Sequence, residues 1–416
     1  MLLLQRASTR RRSGGRIGLA VAGGGPIGGM YELGALCALD EAIEGLYLTD
    51  LEVYVGVSSG AFLAAALANG IDTRQMRRIL VAGGSDSEAP FRPENFLRPA
   101  VGEYVRRAAG VPQMLWDWWR EWLRHPGEAG LGDLLGRFGG LVPTGLFDNE
   151  GIERFLRSAF TRKGRVNDFR ELPRPLFVVA VDLDSGEVVR FGADGWDDVP
   201  ISRAVQASAA LPGLYTPVRI RGRNFVDGAL RRTMHASVAM DHGIDLLIGL
   251  NPLVPYDAGR AEPGVARGSL MQGGLPMVLS QTFRTLLQSR MQVGFAKYES
   301  EYPHVDQLIL EPDPDDAEMF FTNVFGYASR RRVVEHAYRS TLKDLAARTT
   351  QLQQVLERHG LTLRQEVLAD PQRRMLAGMG RPRGSTEATA RLERTLDQLE
   401  HTIAAPHLRG GTRHRR

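Results

Sequence analysis

The chain has 416 residues, of which 43% are hydrophobic and 24% charged, with a formal net charge of +4. This composition excludes a disordered or fibrous protein, and the length permits roughly two or three domains. A lone cysteine, Cys37, excludes an intrachain disulfide and a cysteine-rich zinc site. No base-reading motif accompanies the isoelectric point of about 9.3, so nucleic acid is not an expected partner.

Met1-Leu2-Leu3-Leu4 is too short an apolar run for a secretory signal, and its positive charge follows rather than precedes it. With Arg10, Arg11, Arg12 and Arg16 behind it, residues 1–15 read as a basic, disordered leader. Arg409, Arg413, His414, Arg415 and Arg416 make a matching basic tail. Such ends solubilise, or attract anionic lipid. No stretch approaches the roughly 18 apolar residues of a spanning helix, so the expected location is cytoplasmic, with peripheral attachment to a membrane through the tails as one option.

Arg16 to Ala22 predicts a buried strand, Gly23 to Gly29 a glycine loop, and Tyr31 to Glu44 a helix with Leu33, Leu36, Cys37 and Ile43 at helical spacing. Leu51 to Val55 predicts the next strand, ending at Gly56, and Ala61 to Leu67 a helix. Residues 91–141 interrupt the pattern as a helical insertion. Its centre, 113–124, holds four of the five tryptophans. Leu115, Trp118, Trp119 and Trp122 share one helical face, against Asp117, Arg120, Glu121 and Arg124. Such a helix packs on a core, caps an apolar pocket, or lies in a membrane interface.

Further strands are expected at Pro175 to Leu183, Glu187 to Phe191, Arg223 to Val226, Leu246 to Leu250 and Gln307 to Glu311. Asp184-Ser185-Gly186 marks a hairpin turn between the first two. Helices are expected at Ile152 to Phe160 and Ser202 to Ala210. The alternation predicts a layered α/β fold whose central sheet is mainly parallel and flanked by helices. Long helices follow at Ser269 to Lys297 and Ala328 to His359. Leu392, Leu396, Leu399 and Ile403 mark a last amphipathic helix.

Gly56-Val57-Ser58-Ser59-Gly60 lies between a strand and a helix and matches G-x-S-x-G, the nucleophile elbow, in which two glycines permit a sharp turn that exposes the serine oxygen. Gly23-Gly24-Gly25-Pro26-Ile27-Gly28 matches G-x-G-x-x-G after a strand. A dinucleotide site is one reading of it, but the next strand ends in the elbow rather than in an acidic ribose contact. The other reading is a set of backbone amides for the oxyanion of an attacked ester. A serine needs a base. Among nine histidines His235 has the best setting, and it is a weak one. Asp227, in Asn224-Phe225-Val226-Asp227-Gly228-Ala229, closes a strand, where a turn aspartate would also fit.

Taken in order, Gly23 to Gly28, Gly56 to Gly60 and Asp227-Gly228-Ala229 resemble the three motifs of the patatin-like phospholipase family. Ala207 to Val218 is similar to the segment that precedes its Asp-Gly motif. The resemblance covers about Arg16 to Leu250. It implies a serine acyl hydrolase for lipid esters, phospholipid or lysophospholipid, with a Ser-Asp dyad and no cofactor or metal. Ser58 would be the nucleophile, Asp227 the general base, and Gly23, Gly24, Gly25 and Gly28 the oxyanion loop, with Gly56, Gly60 and Gly228 supporting the motifs. Many members carry Arg or Lys in the loop where this chain has Ile27. A non-catalytic lipid-surface protein with a degenerate hydrolase fold is the alternative. Asn251 and Asp182 follow strands and could line the same face. The expected division is an α/β catalytic domain over 16–312, a helical extension over 313–370 packed on it, and a basic linker, short helix and tail over 371–416. Oligomeric state, head group, and hydrolysis against acyl transfer stay open.

Overall fold

The segments Ile17–Val21 (Ile-Gly-Leu-Ala-Val) and Val53–Val57 (Val-Tyr-Val-Gly-Val) are apolar without alternation, and every residue in both is buried. That is the pattern of strands covered by helices on both faces. In the computed structural model, which describes residues 1–9, 15–81, 96, 98–124, 143–260, 270–322 and 327–377, they are central strands of a nine-stranded sheet. The strands are β1 (Leu2–Gln5), β2 (Ile17–Val21), β3 (Ile43–Glu44), β4 (Val53–Val57), β5 (Arg98–Pro99), β6 (Gly145–Asp148) and β7 (Leu176–Asp182), followed by β8 (Val188–Phe191), β9 (Gly213–Tyr215), β10 (Val218–Ile220), β11 (Arg223–Asp227), β12 (Leu246–Leu250), β13 (Asp306–Leu310) and β14 (Thr362–Leu363). The main sheet runs β1-β13-β12-β2-β4-β7-β11-β10, with β8 also on β7. Its centre, β13-β12-β2-β4-β7, is parallel, and antiparallel strands complete both ends. The expected α/β fold with a mainly parallel sheet is the one observed.

The α-helices among the described residues are α1 (Gly25–Ala42), α2 (Ser59–Ala68), α3 (Thr73–Leu80), α4 (Val101–Ala109), α5 (Val111–Arg124), α6 (Glu150–Phe160) and α7 (Ile201–Ser208), then α8 (Ser237–Asp241), α9 (Gly274–Glu301), α10 (Ala317–Phe321), α11 (Tyr327–Ala347), α12 (Thr349–Leu356) and α13 (Gln365–Leu368). One core cluster joins α1, α2 and α11 to the sheet through Leu33, Leu36, Leu63 and Tyr338, and the other joins α8 and α9 through Val238, Leu287 and Met291. Cys37 lies in the first, 4% exposed.

Several boundaries differ from expectation for local reasons. Residues 2–5 are not a disordered leader. Charge begins only at Arg6, and the apolar Leu2–Gln5 pairs antiparallel with β13, Leu2 opposite Leu310. Helix α1 starts inside the glycine loop, since Pro26 in its first turn needs no amide partner. The single helix expected over 328–359 is divided at Arg348, where the Thr349 hydroxyl donates to the carbonyls of Leu345 and Ala346 and competes with the backbone ladder. The helix expected at 392–403, Arg10 to Arg12, the C-terminal arginines and parts of the insertion lie outside the described residues, whereas Arg16 is described and pairs with Asp245.

Candidate active site

Strand β4 passes into α2 through Ser58, which adopts φ 52° and ψ −120°. A non-glycine residue at positive φ costs roughly 1–3 kcal/mol, and such strain is concentrated at functional turns. The turn is tight because α2 begins against the end of β2. A Cβ on Gly60 would lie 2.4 Å from the carbonyl oxygens of Val21 and Ala22, so only glycine fits there. The Ser58 residue is 7% exposed.

Asp227 reaches Ser58 by way of β7. Strand β4 runs parallel to β7 and ends with Val57 opposite Val179. Strand β11 runs antiparallel to β7 and ends with Asp227 opposite Ala180. Since β8 occupies the other edge of β7 over the same residues, β4 and β11 meet end to end along one edge. Their last residues therefore converge, and the Ser58 hydroxyl comes near enough to the Asp227 carboxylate to stabilise its charged form. Asp227 is 2% exposed and also accepts from the Ala229 amide at 2.9 Å. Burial pushes its carboxyl up to about 6, although the Ser58 hydroxyl and the Ala229 amide both pull it down. The turn-aspartate reading is thus also met, by the same side chain.

The segment before β11 fixes the backbone of both residues, a role that residue-type reasoning misses. The buried Ser208 hydroxyl accepts from the Ser58 amide at 2.8 Å and donates to the Val179 carbonyl at 2.6 Å. The Ala210 carbonyl accepts from the Asp227 amide at 3.0 Å. The available signal was the run Ala207-Ser208-Ala209-Ala210, small residues at the end of a helix.

The glycine loop lies against the serine. A Cβ on Gly23 would be 2.9 Å from that of Ser58, and one on Gly24 would be 2.4 Å from the Pro252 ring. Neither the Gly24 nor the Gly25 amide has a hydrogen-bond partner among the described residues, and both sit at the N-terminal end of α1. Gly28 is corrected as a donor: its amide bonds the Gly24 carbonyl at 3.0 Å inside the first helical turn. The Gly23 amide makes a long contact of 3.4 Å to the Thr233 carbonyl. Ile27 packs against the larger core cluster. Ser59, the first residue of α2, was not singled out from sequence, yet its amide has no intrahelical acceptor.

Two further titratable groups surround the site. Glu32, on α1 and wholly buried, accepts from the Ser59 hydroxyl at 3.4 Å, and its other oxygen has no partner among the described residues. Burial raises its carboxyl well above the ordinary range, although the Ser59 hydroxyl pulls it down. His235 is 4% exposed, its Nε2 lies 3.3 Å from the Gly228 carbonyl, and burial lowers it to about 4. The imidazole is therefore neutral and engaged with backbone. Asp182 accepts from the amides of Asp184 and Ser185 and from Arg223, which makes it a turn residue. Asn251 bonds Glu311 at 2.7 Å and caps the Leu253 amide. Among the described residues no three His, Cys, Asp or Glu side chains are grouped to hold a metal ion.

The family model for patatin-like phospholipase matches residues 19–240. The chain belongs to the patatin-like phospholipase family. The match takes in the glycine loop, the Ser58 elbow and Asp227, and members of this family are generally lipid acyl hydrolases. Among solved structures, this patatin-like chain is similar to VipD from Legionella pneumophila, at 17% identity and a TM-score of 0.37 over 83% of this chain and 70% of that one. It is also similar to the type III effector ExoU, at 17% identity and a TM-score of 0.28 over 96% and 77%. The complex of ExoU with SpcU from Pseudomonas aeruginosa matches at 16% identity and 0.24, over 86% and 70%. No helix among the described residues of the patatin-like chain is long and apolar enough to cross a membrane.

Proposed function

We propose that the chain is a serine acyl hydrolase that cleaves phospholipid or lysophospholipid esters through Ser58 and Asp227. The observation that carries this reading is the convergence, at the ends of β4 and β11, of a serine held at positive φ with a buried carboxylate. Asp227 takes the Ser58 proton as the oxygen attacks the ester carbonyl. The resulting oxyanion is met by the amides of Gly24 and Gly25, with Ser59 as a further donor and Gly23 able to give up its long bond. Asp227 then returns the proton to the departing alcohol or lysolipid. A water, deprotonated by the same carboxylate, attacks the acyl-enzyme, releases the fatty acid and restores Ser58.

The state of His235 suits this chemistry. Burial lowers it to about 4, so the imidazole is uncharged at pH 7 and does not compete with Asp227 for the serine proton. Peripheral attachment through α5 belongs to the same reading, with Leu115, Trp116, Trp119 and Leu123 42%, 56%, 45% and 54% exposed. Its exposed apolar face includes Trp116, whose ring lies tilted against that of Trp119 at 5.2 Å between centroids, whereas Trp118 is half-buried. The basic tails would add attraction to anionic lipid.

Labelling with a fluorophosphonate probe tests the central claim, together with hydrolysis of a medium-chain ester. The native protein is expected to be labelled at Ser58 and to hydrolyse the ester, and Ser58→Ala to lose both by several orders of magnitude. An unlabelled native protein would instead favour a non-catalytic lipid-surface role.

A further inference from the structure

Helix α9 is apolar on two sides, and among the described residues only one of them is covered. Its inner side packs on the sheet through Leu287, Met291 and Tyr298, 2%, 8% and 8% exposed. This side also holds the loops of the active site. The Thr233 hydroxyl donates to the Leu287 carbonyl at 3.4 Å, Arg284 donates to the carbonyls of Pro252 and Val254, and Arg290 donates to the Leu230 carbonyl at 2.8 Å. Thr233 and Pro252 touch the glycine loop, and Leu230 follows Asp227 by three residues.

The outer side carries Leu275, Leu279, Leu286 and Val293, at 69%, 57%, 59% and 70% exposure. At 3.6 residues per turn they fall within an arc of about 40° and extend for about 27 Å along the helix. An apolar stripe on a surface helix is expected to face an apolar partner rather than water. We infer that this outer face of α9 docks the protein on an anionic lipid bilayer, where it lies in the interface beside the mouth of the active site.

Charge and periodicity select that occupant over a second copy of the chain. In a sequence with 48 Asp and Glu residues, none lies between residues 263 and 298. Arg290 and Lys297 flank the stripe, Lys297 being paired with Glu301 at the helix end. An interfacial helix has this composition: a long apolar face, basic flanks and no carboxylate to be repelled by lipid phosphates. A coiled-coil seam needs two apolar rows. Here Leu279, Leu286 and Val293 recur every seven residues, but the companion row from Leu275 continues as Thr282 and Ser289. The inference extends the lipid-ester reading by naming the surface on which the substrate is met.

The test is co-sedimentation of the full chain with vesicles of equal parts phosphatidylcholine and phosphatidylglycerol, and with phosphatidylcholine alone. The native protein is expected to bind the anionic vesicles more tightly. Leu279→Glu combined with Leu286→Glu should weaken that binding about ten-fold or more, and the milder Leu286→Ser with Val293→Ser should weaken it less. Melting temperature, labelling of Ser58 and hydrolysis of a water-soluble ester should stay at native values. The inference is overturned if the variants bind like the native protein, if the native protein binds neither vesicle, or if it is a dimer that these substitutions dissociate. Vesicle binding that follows this pattern without any ester hydrolysis would leave the docking face standing and remove the catalytic reading instead.

Discussion

The Ser208 hydroxyl accepts from the Ser58 amide at 2.8 Å and donates to the Val179 carbonyl at 2.6 Å, so one buried side chain pins the elbow to strand β7. The positive φ of Ser58 is held by this bond together with the close approach of Gly60 to β2.

Ser208→Ala leaves the buried Ser58 amide and Val179 carbonyl without that partner, a loss of roughly 1–3 kcal/mol for each unsatisfied group. The expected outcome is a lower melting temperature and a reduced kcat with little change in KM, since Ser208 touches no substrate. An unchanged kcat in a destabilised variant would assign Ser208 to folding alone.

Asp227 works as a base only when ionised. Because burial raises it to about 6, kcat/KM on a soluble ester should fall below pH 6 and level above pH 7. A limb near the ordinary value of 3.8 would show that the carboxylate is solvated in the free enzyme.

The same burial has a stability consequence. The folded-state value lies above the unfolded one, so a penalty grows as pH rises from about 4 to about 6 and is fully present at neutral pH, on the order of 3 kcal/mol. Asp227→Asn removes it. That variant is expected to be nearly inactive yet at least as heat-stable as the native protein at pH 8, whereas His235→Ala should retain activity. The opposite pattern of activity would restore histidine as the base.

Glu32 carries a penalty of the same sign, since burial raises it above 4.5. Glu32→Gln keeps an acceptor for the Ser59 hydroxyl and cannot ionise, so thermal unfolding should show equal or greater stability at pH 8 and a flatter dependence on pH. A large loss of stability would mean that the carboxylate is charged and paired in the native state.

Replacing Trp116 and Trp119 together with alanine should weaken vesicle binding while leaving hydrolysis of a soluble ester intact. Equal loss of both would make α5 a packing element.

The sequence was most legible where the chain has few options. Gly56 to Gly60 between two apolar segments, and the glycine loop after β2, located the serine and its neighbouring amides, and the resemblance over Arg16 to Leu250 agrees with a family match over 19–240. What it hid were relations between distant segments. Nothing local to Asn224-Phe225-Val226-Asp227 says that β11 runs antiparallel and stops opposite Ala180, and Ser208 reads as one more small helical residue. The donor status of Gly28 depended on where α1 begins, which the density of glycines obscured. Similarly, the edge strand at Leu2–Gln5 is stabilised by a partner more than 300 residues away, beyond the reach of local charge reasoning.

The end-to-end meeting of β4 and β11 on β7 makes β7 a ruler for the reaction. The register of nucleophile and base is set by two consecutive residues, Val179 and Ala180, with Gly60 and Ser208 holding the turn, and not by the length of the chain between α2 and β7. That intervening stretch can therefore lengthen, shorten or be exchanged without moving Ser58 relative to Asp227. A single residue inserted within β7 would shift one partner by about 3.3 Å. New specificities can accumulate in the first region at small mechanistic risk, and the fold concentrates its intolerance to insertion in a strand of seven residues.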